Sequence, residues 1–326
     1  MGRGYAAAMI HLRIVVPSQS VGEALGLLEA APSTVNLVHL AGAVRQPAGD
    51  LVLCDVARED ASLMIDDLKE LGVERDGSIS LVTIDSQVSD TARKAELAAE
   101  RHMPPVGPVV WEEVEARTSE STELGGNFVI FMVLACLIAS VGIYLGSPIL
   151  IVGAMVVGPE FGPLAGLCVA IVERRREVAR RSLTALAIGF PIGITAAMLF
   201  TLASRAAGLI GDDYGAIQHP LTQFISDPEE FSFIVACFAG AAGMLSLTSA
   251  KSGALIGVLI SVTTIPAAAN IGVAVAFADW TEWRGAMAQL VVNLSAIVLA
   301  GVTTLSIQRR FYERRRARRP GSSSRR

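Results

Sequence analysis

The chain has 326 residues, of which 52% are hydrophobic and 18% charged, with a mean hydropathy of +0.51 and a formal net charge of −4. That much apolar surface excludes an ordinary pair of soluble domains, and the charge is unevenly placed: residues 1–126 hold 10 Lys/Arg against 20 Asp/Glu, and residues 127–326 hold 17 against 11. The acidic half reads as soluble and the apolar half as a polytopic bundle of the inner (cell) membrane type.

In chain order, residues 11–16 form a β-rich run, and residues 21–30 place Val21, Leu25 and Leu28 on one helical face before Pro32 ends it. Residues 35–40 and 51–56 are strand-like and flank a turn-rich stretch, Arg45 to Asp50. Residues 61–71 are amphipathic and close at Gly72, and residues 78–84 make a last strand. The order β-α-β-β-α-β predicts a ferredoxin-like α+β domain over residues 1–84. The N-terminal residues lack the apolar core of a secretory signal, so this domain is expected in the cytoplasm. Residues 85–126 are polar and interrupted by Met103-Pro104-Pro105 and Pro108, which predicts a linker of two helices around a proline-rich break.

Beyond Gly126 come six apolar stretches, 127–146, 147–172, 182–203, 231–249, 252–278 and 286–307, each meeting the roughly 20 residues that a hydrocarbon core requires. Arg174, Arg175, Arg176, Arg180, Arg181 and Lys251 lie in alternate loops, and residues 308–326 form a basic tail with Arg309, Arg310, Arg314, Arg315, Arg316, Arg318 and Arg319. The intervening loops carry Asp212, Asp213, Asp227, Glu229, Glu230, Asp279 and Glu282. The positive-inside rule then places both termini in the cytoplasm. A basic run directly after a membrane span fixes topology and grips anionic lipid headgroups, so nucleic acid is not an expected partner.

The second and fifth stretches are broken near their middles, by Gly158-Pro159-Glu160-Phe161-Gly162-Pro163 and by Thr263-Thr264-Ile265-Pro266 followed by Asn270. Each is the middle member of a three-span group, and Ser147-Pro-Ile-Leu-Ile weakly resembles Ser252-Gly-Ala-Leu-Ile. A duplicated group of three must lie upside down relative to its copy, the plan of inverted-repeat transporters whose broken helices bind substrate or ions near the midplane. The competing reading is two kinked helices packed through small residues.

Glu160 is the sharpest residue. A carboxylate midway along a span costs roughly 2.5–3.5 kcal/mol unless paired, hydrated or protonated, and no Lys or Arg occupies the middle of another span. It reads as a proton or cation site, or else as a wall facing a cytoplasmic vestibule. Gly158 and Pro159 open the break around it. Thr263, Thr264, Pro266, Asn270 and Asn293 supply the backbone break, hydroxyls and amides that could complete a site; Asn293 reads equally as glue between helices. Cys54, Cys136, Cys168 and Cys237 show no CxxC or His pairing and read as buried small hydrophobes. Neither a metal, a cofactor nor an enzyme is expected, because one glutamate supplies no nucleophile and base. His11 and His39 fall in predicted strands and His102 in the linker.

Gly153-Ala154-Met155-Val156-Val157-Gly158-Pro159 with Gly162-Pro163, Gly240-Ala241-Ala242-Gly243, Gly253-Ala254-Leu255-Ile256-Gly257-Val258 through Ile265-Pro266, and Leu290-Val291-Val292-Asn293-Leu294 together resemble the prokaryotic uncharacterised hydrophobic domain family, domain of unknown function 389. The family usually has apolar residues between the two prolines, where this chain has Glu160-Phe161, and a double proline where it has Pro266-Ala267. The resemblance implies a membrane protein and no established activity. The expected function is a transporter or channel for a small solute or ion with a regulatory cytoplasmic domain, in a chain that is also a candidate homo-oligomer. The alternative is a membrane sensor or scaffold whose N-terminal domain binds an effector or dimerises.

Overall fold

The computed structural model describes residues 9–84, 86–100, 109–121, 124–210, 230–249 and 264–317. These fall into two compact units: Met1–Val114 with Thr248–Ala250 and Arg310–Arg326, and Glu115–Leu247 with Lys251–Arg309.

The first unit is α+β. Strands β1 (Met9–Val16), β2 (Thr34–Arg45), β3 (Ala48–Ala57) and β4 (Ser78–Ile84) form one antiparallel sheet in the order β2-β3-β1-β4, with α1 (Val21–Glu29), α2 (Arg58–Glu70) and the short α3 (Val73–Asp76) between them. Alternation builds the core: Ile10, Leu12, Ile14 and Val16 stand on one face of β1, beside Val52, Cys54 and Val56 of β3, and meet Ala24 and Leu28 of α1 and Met64, Ile65 and Leu68 of α2. The element order is the one read from the sequence. The hairpin differs: the strands run on to Arg45 and Ala48, so the turn shrinks from the expected six residues to Gln46 and Pro47. Burial of the Cys54 thiol, and then the charge of Asp55, push it up to about 12, which leaves it an inert core residue.

The opposite sheet face carries a polar cluster. Asp55 accepts from Asn36 Nδ2 at 2.6 Å and Gln87 Nε2 at 3.0 Å, with His11 Nδ1 at 2.7 Å. On the core side of the sheet, at its end, Asp50 of β3 stands opposite Val16, and its carboxylate accepts the Gly42 backbone N–H at 3.0 Å and faces His39 Nε2 at 2.7 Å. The Gly42 amide first, then His39, hold Asp50 below the usual carboxylate range. A depressed folded value contributes stability that is full above the unfolded value of about 3.9 and is lost as pH falls through the folded one. Acidification below about pH 4 therefore lowers the melting midpoint of wild type more than that of Asp50→Asn, followed through Trp111 with Trp280 and Trp283 replaced by Phe.

The expected linker begins as part of this unit. Helix α4 (Asp90–Glu100) lays Ala92 and Ala99 against Met9 and Ala57. Helix α5 (Trp111–Ser121) is pinned at its start to α2: Ser62 accepts the Trp111 N–H and donates to Glu112, Lys69 reaches Glu112, and buried Arg58 pairs with Glu113 at 2.6 Å.

The second unit is helical. Helices α6 (Gly126–Tyr144), α7 (Pro148–Val157), α8 (Phe161–Glu173), α9 (Arg176–Ala206), α10 (Glu230–Thr248), α11 (Thr264–Ala276) and α12 (Trp280–Ala317) follow in order. Three of them, α6, α9 and α12, are long and apolar enough to cross a membrane, and the pair α7–α8, bent by 51°, makes a fourth if it is one span. Helices α10 and α11 are apolar but shorter over their described residues. Large apolar side chains point outward, including Ile149, Phe238 at 70% exposure and Leu299, while small residues fill the contacts between helices. That inversion of a soluble pattern fits a membrane protein.

Helix α11 is the hub. All but one of its residues are buried, and it packs on α6, α7 and α9. At about 1.5 Å per residue its 13 described residues reach about 20 Å, two thirds of a hydrocarbon core. Its end is closed by Arg205 of α9, which donates to the Ala276 carbonyl at 2.7 Å and lies over the Phe277 ring, and Asp279 then caps α12 through the backbone N–H groups of Thr281 and Glu282. At the other end of the bundle Glu173 of α8 pairs with Arg309 of α12.

Candidate functional site

The break between α7 and α8 follows from two prolines. Residues before a proline are driven to extended backbone, and Gly158, with φ −60° and ψ 130°, ends α7 before Pro159. Helix α8 restarts at Phe161, with Glu160 at its N-cap and Pro163 in its first turn, where a missing N–H costs no helical hydrogen bond. The Gly158 amide closes on the Ala154 carbonyl at 3.0 Å. This is the broken second stretch expected from the sequence.

Glu160 is 4% exposed. Its Oε1 accepts a 2.7 Å hydrogen bond from Thr264 Oγ1, and its Oε2 is buried with no hydrogen-bond partner among the described residues. Thr264 is the first described residue of α11, in the fifth apolar stretch, whose expected break reaches into residues 250–263, outside the described residues. Other hydroxyls of the bundle, on Ser140, Thr195, Thr201, Thr303 and Thr304, donate back to the carbonyl four residues earlier in their own helix. A hydroxyl has one proton, and Thr264 spends its own on Glu160. Gly158 permits the approach: a Cβ there would stand 2.6 Å from Ile265 Cγ1 and collide with Glu160 Oε2.

The structure thus brings Gly158, Pro159, Glu160 and Thr264 together, with Ile265 and Pro266 at the same end of α11. It sends two sequence candidates elsewhere. Buried Asn270 donates to Glu282 Oε1 at 2.8 Å, toward the α11–α12 junction, and buried Asn293 accepts from Gln289 one turn earlier in α12, at 3.4 Å. Neither bond involves Glu160. Thr263 lies outside the described residues. Sequence reading missed Gln289, whose amide sits on the buried face of α12; the i, i+4 spacing to Asn293 was its available signal.

It also missed the partners of the basic tail. Helix α12 continues through Ala317, and Arg315 donates to Asp60 at 2.8 Å and to the Glu59 carbonyl. Arg316 reaches both Asp66 at 2.7 Å and Glu70 at 2.5 Å, and Tyr312 donates to Asp66 at 2.6 Å while its ring meets Trp111 edge-on. Burial, then the hydrogen bond to Asp66 and its charge, push the Tyr312 hydroxyl well above the usual phenol range. Replacing Arg315 by Ala leaves Asp60 mostly buried without its cation, an expected loss of about 2 kcal/mol. The check is trypsin cleavage of α2, which quickens several-fold in the variant.

Comparison with known proteins adds kinship without an activity. No solved structure matches the chain. An uncharacterized protein of Methanocaldococcus jannaschii is 25% identical over 201 residues, which is 61% of this chain and 59% of that protein, so the match spans less than two thirds of the relative's own length. Residues 155–299, from within α7 across the break and α11 to within α12, match a family described as Domain of unknown function (DUF389), and the matched span includes Glu160 and Thr264.

Proposed function

We propose that the protein is a membrane transporter or channel for a small solute or ion, with the α7–α8 break and the start of α11 as its site. One observation carries the reading: a buried carboxylate at a helix break has one oxygen held by Thr264 at the start of α11 and one without a partner among the described residues. Such an arrangement is costly to maintain in a bundle that only has to stand, and broken helices that expose polar groups at depth are how transporters hold their cargo. Six crossings, a three-plus-three inverted repeat and cytoplasmic termini belong to the same proposal, supported by the arginine-rich loops and by the break between the short helices α7 and α8.

The first unit is proposed to regulate. The grip of Tyr312, Arg315 and Arg316 on α2 supports this, since the last helix of the bundle is itself held by the domain. Exposed Arg310 and Arg314 remain for anionic headgroups. A purely anchoring role is the second reading, favoured by the same grip.

The test is flux in sealed proteoliposomes with a pH dye inside and a panel of ions and small anionic or neutral solutes outside. Wild type is expected to move charge, protons or a solute above empty liposomes. No movement across the panel and a range of pH would leave the anchoring role in possession.

A further inference from the structure

We propose that the ion held at the α7–α8 break is a proton, and that Glu160 carries it with Thr264 as its hydrogen-bond partner. Its bearing on flux rests on the transport reading, whereas occupancy of the carboxyl can be read without any flux. A bare carboxylate sealed from water with one hydrogen bond needs a positive charge beside it. The described surroundings offer Oε2 no such charge and little oxygen. Oε2 lies against Gly158 and the Ile265 side chain, so close that a single added Cβ at Gly158 would strike both. Hard cations of the calcium or magnesium kind take about six or more oxygens; the donor set here is one carboxyl and one hydroxyl, and no cluster of three or more His, Cys, Asp or Glu occurs among the described residues. A proton needs no further ligand. Binding adds one proton and removes one negative charge, and release reverses it; Thr264 donates to Oε1 throughout, so Oε2 is the atom left to take the proton.

The elements packed around the break do not offer a competing titrating pair. Helices α7 and α11 hold no titratable side chain in their described residues, and α6 contributes the Cys136 thiol and, at its C-terminal end, Tyr144. The charges of α8 and α9 stand at their ends, on Glu173, Arg176, Glu177, Arg180, Arg181 and Arg205.

Infrared difference spectra of the full chain in lipid vesicles, titrated in pH, test this directly. A protonated-carboxyl band that comes and goes reversibly with pH is expected in wild type, absent in Glu160→Gln, shifted in Thr264→Val, retained in Cys136→Ser, and indifferent to replacing sodium by choline or adding calcium. No pH-dependent band sensitive to Glu160→Gln, or a Glu160 carboxylate band that moves with sodium or calcium, overturns the assignment. In the same vesicles a pH gradient is expected to drive flux and a sodium gradient is not. Drive by sodium would overturn the proton while leaving transport standing; the band without flux under any gradient would support the proton site and remove transport.

Discussion

Glu160→Gln is expected to lower flux at least tenfold, to the level of empty liposomes, while the protein still inserts and melts no lower than wild type. Glutamine keeps the length of the side chain and an oxygen to accept the 2.7 Å hydrogen bond from Thr264. What it removes is the capacity to hold and release a positive charge. Because a buried carboxylate costs roughly 2.5–3.5 kcal/mol on insertion scales, the substitution relieves a penalty as well, and the melting temperature should stay level or rise. A wall or kink residue predicts the opposite pair of results, unchanged flux and at most a small change in stability. Flux and melting measured on one preparation separate the two. Thr264→Val, which leaves both carboxyl oxygens without a donor, should reduce flux by less, because charge exchange survives there in a poorer setting.

Gly272→Leu should have the largest effect on stability, about 3 kcal/mol or the loss of a folded bundle. Helix α11 crosses α9 at this residue so closely that a Cβ would stand 2.5 Å from the Ile194 carbonyl oxygen and 2.9 Å from both the Ala197 methyl and the Met198 amide nitrogen. Two of these neighbours are backbone atoms, which cannot rotate aside, so the helices must separate and the packing of the hub loosens on every side. The contrast is Gly153→Ala, where nothing lies within 4 Å and no effect is expected. Thermal unfolding of the two variants in one detergent decides the matter, and a Gly272→Leu protein that melts with wild type would mean that α11 is not held where it stands.

Much of this was legible because the signals are local. Alternation along β1 and β3 and the amphipathic run of α2 specify the sheet and its covering, and Gly158-Pro159 with Pro163 specify both the break and its location. Glu160 stood out from its cost alone. The register of the hairpin was harder, since Arg45, Ala48 and Gly49 lie in a stretch of turn composition and are held as strand only by pairing across β2 and β3. In the bundle, lipid-facing and protein-facing surfaces are both apolar, so hydropathy could not tell that α11 is enclosed; the run Ala267-Ala268-Ala269 with Gly272 was the trace it left. The bond from Asn270 to Glu282 was not legible either, because it is set by how the chain turns through Ala278, whose backbone is left-handed. The tail was read by composition as a lipid anchor. That Arg315 and Arg316 meet Asp60, Asp66 and Glu70 depends on where a 38-residue helix ends, which no short window reveals.

That helix carries a timing constraint. From Trp280 to Ala317 it runs without a described interruption, about 57 Å end to end, and its last turns belong to the first unit while the rest belongs to the second. Within the first unit each residue advances the helix by about 100°, so a single residue inserted between Tyr312 and Arg315 would turn Arg315 and Arg316 away from the carboxylates of α2 while Tyr312 stays on Asp66. The spacing of these three side chains is therefore in one register with α2, as the teeth of a gear are.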